Sequence, residues 1–339
     1  MLSLLDYQII GTLAYSAQFK FPLTKDEIFN RLLSSDQALL VKRNYMVDLE
    51  VAETSKKVPP LIKKDLEFGL KKLKRIGVVE ELGGSFYLSA CLKNNEELQN
   101  LIQQKKHKKR KSKKLKKQAW RLKTFFRKQP QILAAGFTGA LAVDNPELEP
   151  DLDLIMIVQK NRLWLTRSVV LLRALILGKK RPFWEKNKKD KDQWCFNLWL
   201  EEGAMCLPNH QRNTYSAYEA AQINWFYDPY NFRAKFYQQN QWLEKYLAHF
   251  PLKRANDAPD AVVDNEFMEK SNKGGLLDYC AALLNKLIFF TWKLYLCHRN
   301  KIPLINLSLS QAFLHDDASY KQLLDEWHKQ LNLVFVKLK

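Results

Sequence analysis

Two carboxylates separated by one residue precede the most apolar strand-like stretch in the middle of the chain. Asp151 and Asp153 lead directly into Leu154–Val158, and another apolar strand is predicted at Ile132–Phe137. Side chains at positions i and i+2 of a strand point to the same side, so the two acids are expected to lie close together. Like charges this close are costly to ionise unless a cation lies between them. The pattern favours Mg²⁺, which binds one or two carboxylates together with substrate phosphates.

A turn of small residues follows the first of these two strands. Thr138, Gly139 and Ala140 form the turn, and ten residues separate Ala140 from Asp151. Backbone N–H groups in such a turn can bind an anion, and small side chains leave room for it. Without the turn, two exposed acids at the start of a strand would be the default explanation for Asp151 and Asp153. With the turn, the residues resemble the signature of a known family, and that resemblance implies a site for a phosphate group and a metal ion.

The turn and the acidic pair resemble the active-site signature of the nucleotidyltransferase superfamily, which has the DNA polymerase beta-like fold. In that signature a strand ends in Gly-Ser, and a spacer leads to Asp-x-Asp on the next strand. Here Gly139-Ala140 stands for Gly-Ser, and Asp151-Leu152-Asp153 stands for Asp-x-Asp. Together with the N-terminal region, the motif is similar to uncharacterised bacterial proteins that carry a nucleotidyltransferase domain. Alanine at position 140 departs from the signature because it removes the serine hydroxyl.

The resemblance implies a role for each residue of the motif. Thr138, Gly139 and Ala140 are expected to contact the triphosphate of a nucleotide. Asp151 and Asp153 are expected to hold Mg²⁺ or Mn²⁺ in a two-metal displacement. The next predicted helix contains two arginines that are expected to neutralise phosphate charge, namely Arg162 and Arg167.

A third carboxylate completes the metal site in active members of the resembled family. Its strand corresponds here to Gln193–Leu200, which contains no acid and places Asn197 at the expected position. An amide binds a metal ion weakly and cannot act as a base. In a different register, Asp192 or the Glu201-Glu202 pair would take the place of the missing acid.

The positive charge of the chain is concentrated in one segment. The formal net charge is +19, and 14 Lys or Arg residues with no acid lie between Lys105 and Lys128, which leaves +5 for the rest. A helical segment of this composition is expected to bind the phosphates of DNA or RNA through counterion release. The alternative is a solvated linker helix whose lysines keep the protein soluble. The residues assigned to nucleic-acid binding are Lys105, Lys106, Lys108, Lys109, Arg110 and Lys111.

The first part of the chain predicts a winged helix-turn-helix. Two helices are expected before residue 33, the second opened by a capping box of Thr24 and Glu27. A third helix is expected after Pro59-Pro60, followed by a hairpin with a turn at Gly83-Gly84. Lysines on the third helix would contact DNA in the major groove, or they decorate a solvated face of a module that docks to protein.

We predict an α+β fold with four parts. Residues 1–93 form the winged helix-turn-helix-like domain, and residues 94–128 form the basic helical linker. Residues 129–250 form a polymerase beta-like nucleotidyltransferase core with a small mixed sheet, in the order strand, strand, helix, strand. Residues 251–339 form a C-terminal helical region.

The sequence favours a cytoplasmic protein without a membrane span. Five scattered cysteines without a paired motif are typical of reduced thiols, and the N-terminus lacks the pattern of a signal peptide. The most apolar run, Gly274 to Cys297, is interrupted by Asp278, Lys286 and Lys293. It is therefore expected to form a buried amphipathic helix.

Two functions from different classes follow from these patterns. The first is transfer of a nucleoside monophosphate from a nucleoside triphosphate to an unknown acceptor hydroxyl by a divalent-metal mechanism. The alternative is a winged-helix nucleic-acid-binding regulator whose nucleotidyltransferase domain is catalytically degraded and senses a nucleotide. A third class is an adaptor that holds an RNA partner through the basic linker.

Overall fold

A computed structural model describes residues 2–45, 62–146, 152–179, 194–250, 275–299, 302–314 and 317–338 of the protein. Two residues singled out above, Asp151 and Asp192, lie outside these ranges, as does the expected start of the third helix at Pro59-Pro60. The fold is α+β with a mixed central sheet, as predicted.

In the N-terminal region, the described residues form four α-helices and a three-stranded antiparallel sheet in the order β1-β3-β2. Its elements are α1 (Leu4–Ala17), β1 (Leu23–Thr24), α2 (Lys25–Arg31), α3 (Ser35–Tyr45), α4 (Lys63–Arg75), β2 (Val79–Leu82) and β3 (Ser85–Leu88). The capping box of Thr24 and Glu27 is confirmed, and so is the hairpin of β2 and β3. Helix α3 was not among the predicted helices, and its Ala38 and Val41 pack into the core despite their polar neighbours.

A single long helix, α5 (Asn95–Arg127), connects the N-terminal region to the central sheet. Its 33 residues extend for about 50 Å at the α-helical rise. Leu98 and Leu101 near its start pack against α1 and β3, whereas Leu122 and Phe126 near its end join the core under the central sheet. The predicted linker is therefore a helix that is anchored at both ends.

Five strands form the central sheet in the order β7-β4-β5-β6-β8. They are β4 (Ile132–Phe137), β5 (Leu152–Val158), β6 (Trp194–Glu201), β7 (Asn224–Tyr227) and β8 (Gln311–Phe313). Strand β4 pairs antiparallel with β5, and β5 pairs parallel with β6 across helix α7 (Leu163–Ile176). The predicted order of strand, strand, helix and strand is confirmed, but the short edge strands β7 and β8 were not predicted.

Helices cover both faces of this sheet, which explains the continuous apolar run in β5. Leu154 and Met156 face a core shared with α7 and the end of α5. Ile155 and Ile157 face the opposite core, which is continuous with the N-terminal region. The other α-helices among the described residues are α6 (Gly139–Ala142), α8 (Thr214–Ala221), α9 (Phe232–Gln239), α10 (Leu276–Arg299) and α11 (Asp317–Leu338). By strand alternation, Asp153 lies on the face of Ile155, with α8 and α9.

Helix α10 is the apolar helix expected at Gly274 to Cys297, but it is only partly buried. Phe289, Trp292 and Leu296 pack against the core beneath α7. Much of the opposite side is exposed and apolar, including Leu277 at 85% and Leu294 at 74% exposure. Leu276–His298 is long and apolar enough to cross a membrane. Core helices of soluble proteins also meet this criterion, so one such helix does not establish a membrane span. The absence of a membrane span therefore stays a prediction.

Candidate active site at the Gly139 bend

The small-residue turn and the strand of the acids meet at the edge where β4 ends and β5 begins. Thr138 donates its backbone N–H to the carbonyl oxygen of Asp153 at 3.0 Å. Gly139 has a φ of +62°, and a Cβ at this position would lie 2.9 Å from Oδ2 of Asp153. Only glycine combines this backbone conformation with so close an approach. The structure therefore brings the bend against the carboxylate, as the sequence spacing predicts.

Asn197 contacts the other oxygen of the same carboxylate. Strand β6 pairs with β5 so that Cys195 lies opposite Asp153, and a bulge follows after Leu154. The amide Nδ2 of Asn197 donates to Oδ1 of Asp153 at 2.6 Å, and the Cys195 thiol donates to the amide oxygen at 2.8 Å. Asn197 therefore occupies the position predicted for it, next to the acid. It presents a hydrogen-bond donor there, not a second carboxylate.

The two acids at the end of β6 lie far from this point. Glu201 pairs with Val158, five residues along β5 from Asp153, which corresponds to about 17 Å. Glu201 accepts the backbone N–H of Arg162 at 3.1 Å, at the start of α7. Glu202 accepts the backbone N–H of Lys160, in the loop that precedes α7. Neither acid takes the place of a third carboxylate beside Asp153.

A carboxylate that sequence reasoning missed enters the site from α8. Oε2 of Glu219 accepts the backbone N–H of Gly139 at 2.8 Å. Burial and, to a smaller extent, the nearby charge of Asp153 raise the pKa of Glu219, whereas the hydrogen bond from Gly139 lowers it. The net result is a pKa of about 7. The sequence held one signal, because Glu219 is the one acid in a short helix whose other residues are mostly alanine and tyrosine.

A cavity of about 330 Å³ opens beside the bend, between the central sheet and α8. Its size is within the range of small-molecule sites. Thr138 lines it, is only 5% exposed, and has a hydroxyl oxygen without a hydrogen-bond partner among the described residues. The Glu219 carboxylate, together with burial, raises the pKa of Tyr215 in the same wall. Other lining residues include Leu198, His210, Glu219, Phe236, Tyr320 and Lys321.

The two arginines assigned to phosphate binding lie elsewhere. Arg162 forms an ion pair with Asp278 of α10. Arg167 is 5% exposed, and its guanidinium lies 4.2 Å from the ring centroid of Trp292, also on α10. Burial lowers the pKa of Arg167 to about 9. Because α7 and α10 cover the face of the sheet opposite Asp153, the structure does not bring either arginine to the bend.

The lysines of α5 divide into an inner and an outer face. On the inner face, Lys105 forms an ion pair with Glu27, Lys108 donates to the Asn145 side chain at 2.8 Å, and Lys116 pairs with Asp144 at 2.6 Å. Lys105 and Lys108, assigned above to nucleic-acid binding, therefore tie α5 to the rest of the fold. Lys111 is half-buried between the two faces.

Six exposed cations share the outer face, and we call them the basic stripe. They are Lys106, Lys109, Arg110, Lys113, Lys114 and Lys117. Their spacings of three and four residues place them along one side of the helix, over about 16 Å. Three of the six residues assigned to nucleic-acid binding belong to this stripe.

Helix α4, which the sequence predicted as the third helix and which is the fourth described in the N-terminal region, has most of its lysines in ion pairs. The pairs are Lys63 with Asp26, Lys71 with Glu67, Lys72 with Asp6 and Lys74 with Glu81. Such pairs reduce the positive potential of the helix face that was expected to contact DNA. The basic stripe of α5 is the more strongly positive surface.

The partition of α5 predicts different effects for two neighbouring lysines. Burial raises the pKa of Glu27, but Lys105 together with the Thr24 backbone N–H and Arg31 holds it below its ordinary value. Lys105→Met is expected to lower the free energy of unfolding by about 2 kcal/mol at pH 7 in urea unfolding. The loss is expected to shrink as the pH falls through the lowered pKa of Glu27, because protonated Glu27 no longer gains from the pair.

Lys106→Met is the matched control, since Lys106 is exposed on the next position of the same helix. It is expected to leave the free energy of unfolding within about 0.5 kcal/mol of wild type. Equal effects of the two substitutions would show that Lys105 does not anchor α5.

Compared with family models, curated proteins and solved structures, the chain matches none of them. Its function is therefore inferred from the residues and geometry of the site alone.

Proposed function

We propose that this protein is a nucleotidyltransferase with a DNA polymerase beta-like core. It transfers a nucleoside monophosphate from a nucleoside triphosphate to an acceptor hydroxyl. The observation that carries the proposal is the contact of the Gly139 bend with the carboxylate of Asp153. The arrangement of β4, β5, α7 and β6 is the strand order expected for such a core.

The donor set at the bend fits a divalent metal ion. The Asp153 carboxylate provides hard oxygen atoms of the kind that Mg²⁺ prefers, and the buried Thr138 hydroxyl would hydrogen-bond a water molecule or phosphate oxygen on the ion. Asp153, together with Asp151 from outside the described residues, would hold the ion. When bound, Mg²⁺ or Mn²⁺ would draw negative charge from the phosphate oxygens in the transition state.

The residues of the chain have separate tasks in this reaction. The backbone at Gly139 approaches the phosphates, and the adjacent cavity holds the acceptor or the nucleoside. An acceptor oxygen attacks the α-phosphorus, the bond to the β-phosphate breaks, and pyrophosphate leaves with the bonding electrons. The acceptor proton passes to solvent. Catalysis depends mainly on positioning and charge stabilisation.

Label transfer tests this proposal directly. The full-length protein is incubated with nucleoside triphosphates labelled at the α-phosphate, Mg²⁺ or Mn²⁺, and separate fractions of RNA, protein and small metabolites. We expect label in one fraction, and its loss in Asp153→Asn. Glu202→Gln, at the far end of the sheet, is the control and is expected to retain transfer. No transfer under any of these conditions would contradict the proposal.

A second candidate function is favoured by Asn197, which presents an amide where an active site would need an acid. In this candidate the core binds a nucleotide without transferring it, and the protein is a nucleic-acid-binding regulator. The four helices and three-stranded sheet of the N-terminal region form its winged helix, and the basic stripe binds phosphates. Nucleotide binding without label transfer, together with duplex binding, would support this candidate.

Neutralising the basic stripe is expected to weaken nucleic-acid binding about a hundredfold at moderate salt, because fewer phosphates are neutralised and fewer counterions are released. All six residues are changed to Gln, and binding to an RNA hairpin and a DNA duplex is measured by fluorescence anisotropy over a range of salt concentrations. The slope of log Kd against log salt is expected to fall by about 0.9 for each phosphate that the variant no longer neutralises.

A control variant carries the same change in net charge at exposed sites outside α5. Its substitutions to Gln are at Lys20, Lys93, Lys160, Lys245, Lys286 and Lys337. It is expected to keep most of the affinity and slope. Equal losses in the two variants would mean that overall charge, not the basic stripe, attracts the nucleic acid.

A further inference from the structure

We infer that Glu219 on α8 supplies the carboxylate that β6 lacks, so that Asp153 and Glu219 together hold a divalent cation at the Gly139 bend. This inference rests on the proposed function, which requires a metal ion there. The second metal ligand would then come from α8, on the face of the sheet where Asp153 lies, and not from β6.

Two carboxylates approach the same residue from different elements. Oδ2 of Asp153 lies against the Cα side of Gly139, and Oε2 of Glu219 accepts the backbone N–H of Gly139 at 2.8 Å. The approach of Asp153 is possible only because Gly139 has no side chain. The bend therefore brings β5 and α8 to a common point, and each contributes an acidic oxygen.

The surroundings of this point favour a hard cation. The Asn197 amide donates to Oδ1 of Asp153 and so orients the carboxylate. Because Asn197 is uncharged, β6 provides no anionic ligand beside Asp153. A pair of carboxylates in a partly buried site is costly, and a divalent cation removes that cost. Mg²⁺ and Mn²⁺ are satisfied by two carboxylates when water or phosphate completes the coordination.

Thr138 provides a separate indication that a ligand occupies this place. Its hydroxyl is buried, lines the cavity that Glu219 also lines, and has no hydrogen-bond partner in the described parts of the chain. Buried hydroxyl groups are normally hydrogen-bonded. A water molecule or phosphate oxygen on the cation would provide the missing partner.

Binding of Mn²⁺ alone tests the inference without any need for turnover. Free Mn²⁺ is measured by electron paramagnetic resonance during titration of the full-length protein, and the thermal shift caused by Mn²⁺ is recorded in parallel. We expect Glu219→Gln to weaken Mn²⁺ binding at least tenfold. The glutamine carbonyl can still accept the Gly139 N–H, so the bend and the melting temperature without metal are expected to be retained.

Three further variants complete the experiment. Asp153→Asn is expected to weaken Mn²⁺ binding at least as much as Glu219→Gln. Glu219→Asp keeps the charge on a shorter side chain and is expected to bind Mn²⁺ more tightly than Glu219→Gln. Glu202→Gln, at the far end of β6, is expected to bind Mn²⁺ like wild type.

The outcomes separate this inference from the proposed function. If Glu219→Gln binds Mn²⁺ like wild type while Asp153→Asn does not, Glu219 only supports the bend, and the inference is wrong although the proposed function stands. If Glu219→Asp and Glu219→Gln lose affinity equally, charge at this position is irrelevant and the inference is also wrong. If wild type binds no Mn²⁺, both the inference and the metal-dependent function fall.

Discussion

Gly139→Ala is expected to reduce nucleotide affinity at least a hundredfold. The added Cβ would lie 2.9 Å from Oδ2 of Asp153, closer than carbon and oxygen normally approach, so the bend or the carboxylate must move. The positive φ of +62° adds about 1 kcal/mol of backbone strain. Because the proposed site depends on the bend and the acid together, the displacement is expected to disrupt both. Titration with a fluorescent analogue of ATP in Mg²⁺ measures the affinity.

Gly178→Ala separates the contact from the backbone strain. Gly178 has nearly the same conformation, with a φ of +64°, but a Cβ there meets no atom within 4 Å. We expect Gly178→Ala to lower the free energy of unfolding by about 1 kcal/mol and to leave nucleotide affinity unchanged. If Gly139→Ala binds the analogue as tightly as Gly178→Ala does, the bend is not part of a nucleotide site.

The central strands were predictable because their pattern is physically unambiguous. A strand buried on both faces must be apolar throughout, and Leu154 to Val158 satisfies this requirement. The spacing of the Gly139 bend and Asp153 placed them at one edge of the sheet, since β4 and β5 pair antiparallel. Asn197 was expected beside the acid from the family resemblance, and in the structure it is the extra residue of a bulge between Phe196 and Leu198.

Glu219 was not predictable, because its role depends on packing between distant parts of the chain. It lies 66 residues after Asp153, on an eight-residue helix whose orientation no local pattern fixes. The edge strands β7 and β8 have only four and three residues, too few to show a period of two. Their pairing is decided by the sheet that they join.

The ion-pair partners of the lysines in α5 could not be predicted from the sequence either. The number of lysines in α5 can be read from the chain, but the partner of each one depends on the surface that the helix faces. Lys105 meets Glu27 from a region 78 residues earlier, whereas Lys106 points to solvent. Arg167 was misjudged for a related reason, since its guanidinium packs on Trp292 of α10, which joins α7 only in the folded protein.

Asn197→Asp is expected to make the stability of the protein depend on a divalent metal ion. In wild type the Asn197 amide donates to Asp153 at 2.6 Å. The substitution replaces that donor by a second carboxylate, which removes a charge-assisted hydrogen bond and adds repulsion. Without metal we expect the free energy of unfolding to fall by about 3 kcal/mol, which corresponds to a melting temperature lower by about 4 °C for a chain of this length. Excess Mg²⁺ is expected to restore most of this loss, because a cation between the two carboxylates cancels their repulsion.

Asn197→Ala is the matched control, since it removes the same hydrogen bond without adding charge. Its melting temperature is expected to fall as well. Mg²⁺ is expected to raise the melting temperature of this variant by no more than it raises that of wild type. Thermal unfolding of both variants in EDTA and in Mg²⁺ makes the comparison. An Asn197→Asp variant that is equally unstable with and without Mg²⁺ would mean that no cation binds beside Asp153. If wild type transfers no label and Asn197→Asp does, the wild-type core is catalytically degraded at this position, and the regulator becomes the better account of the protein.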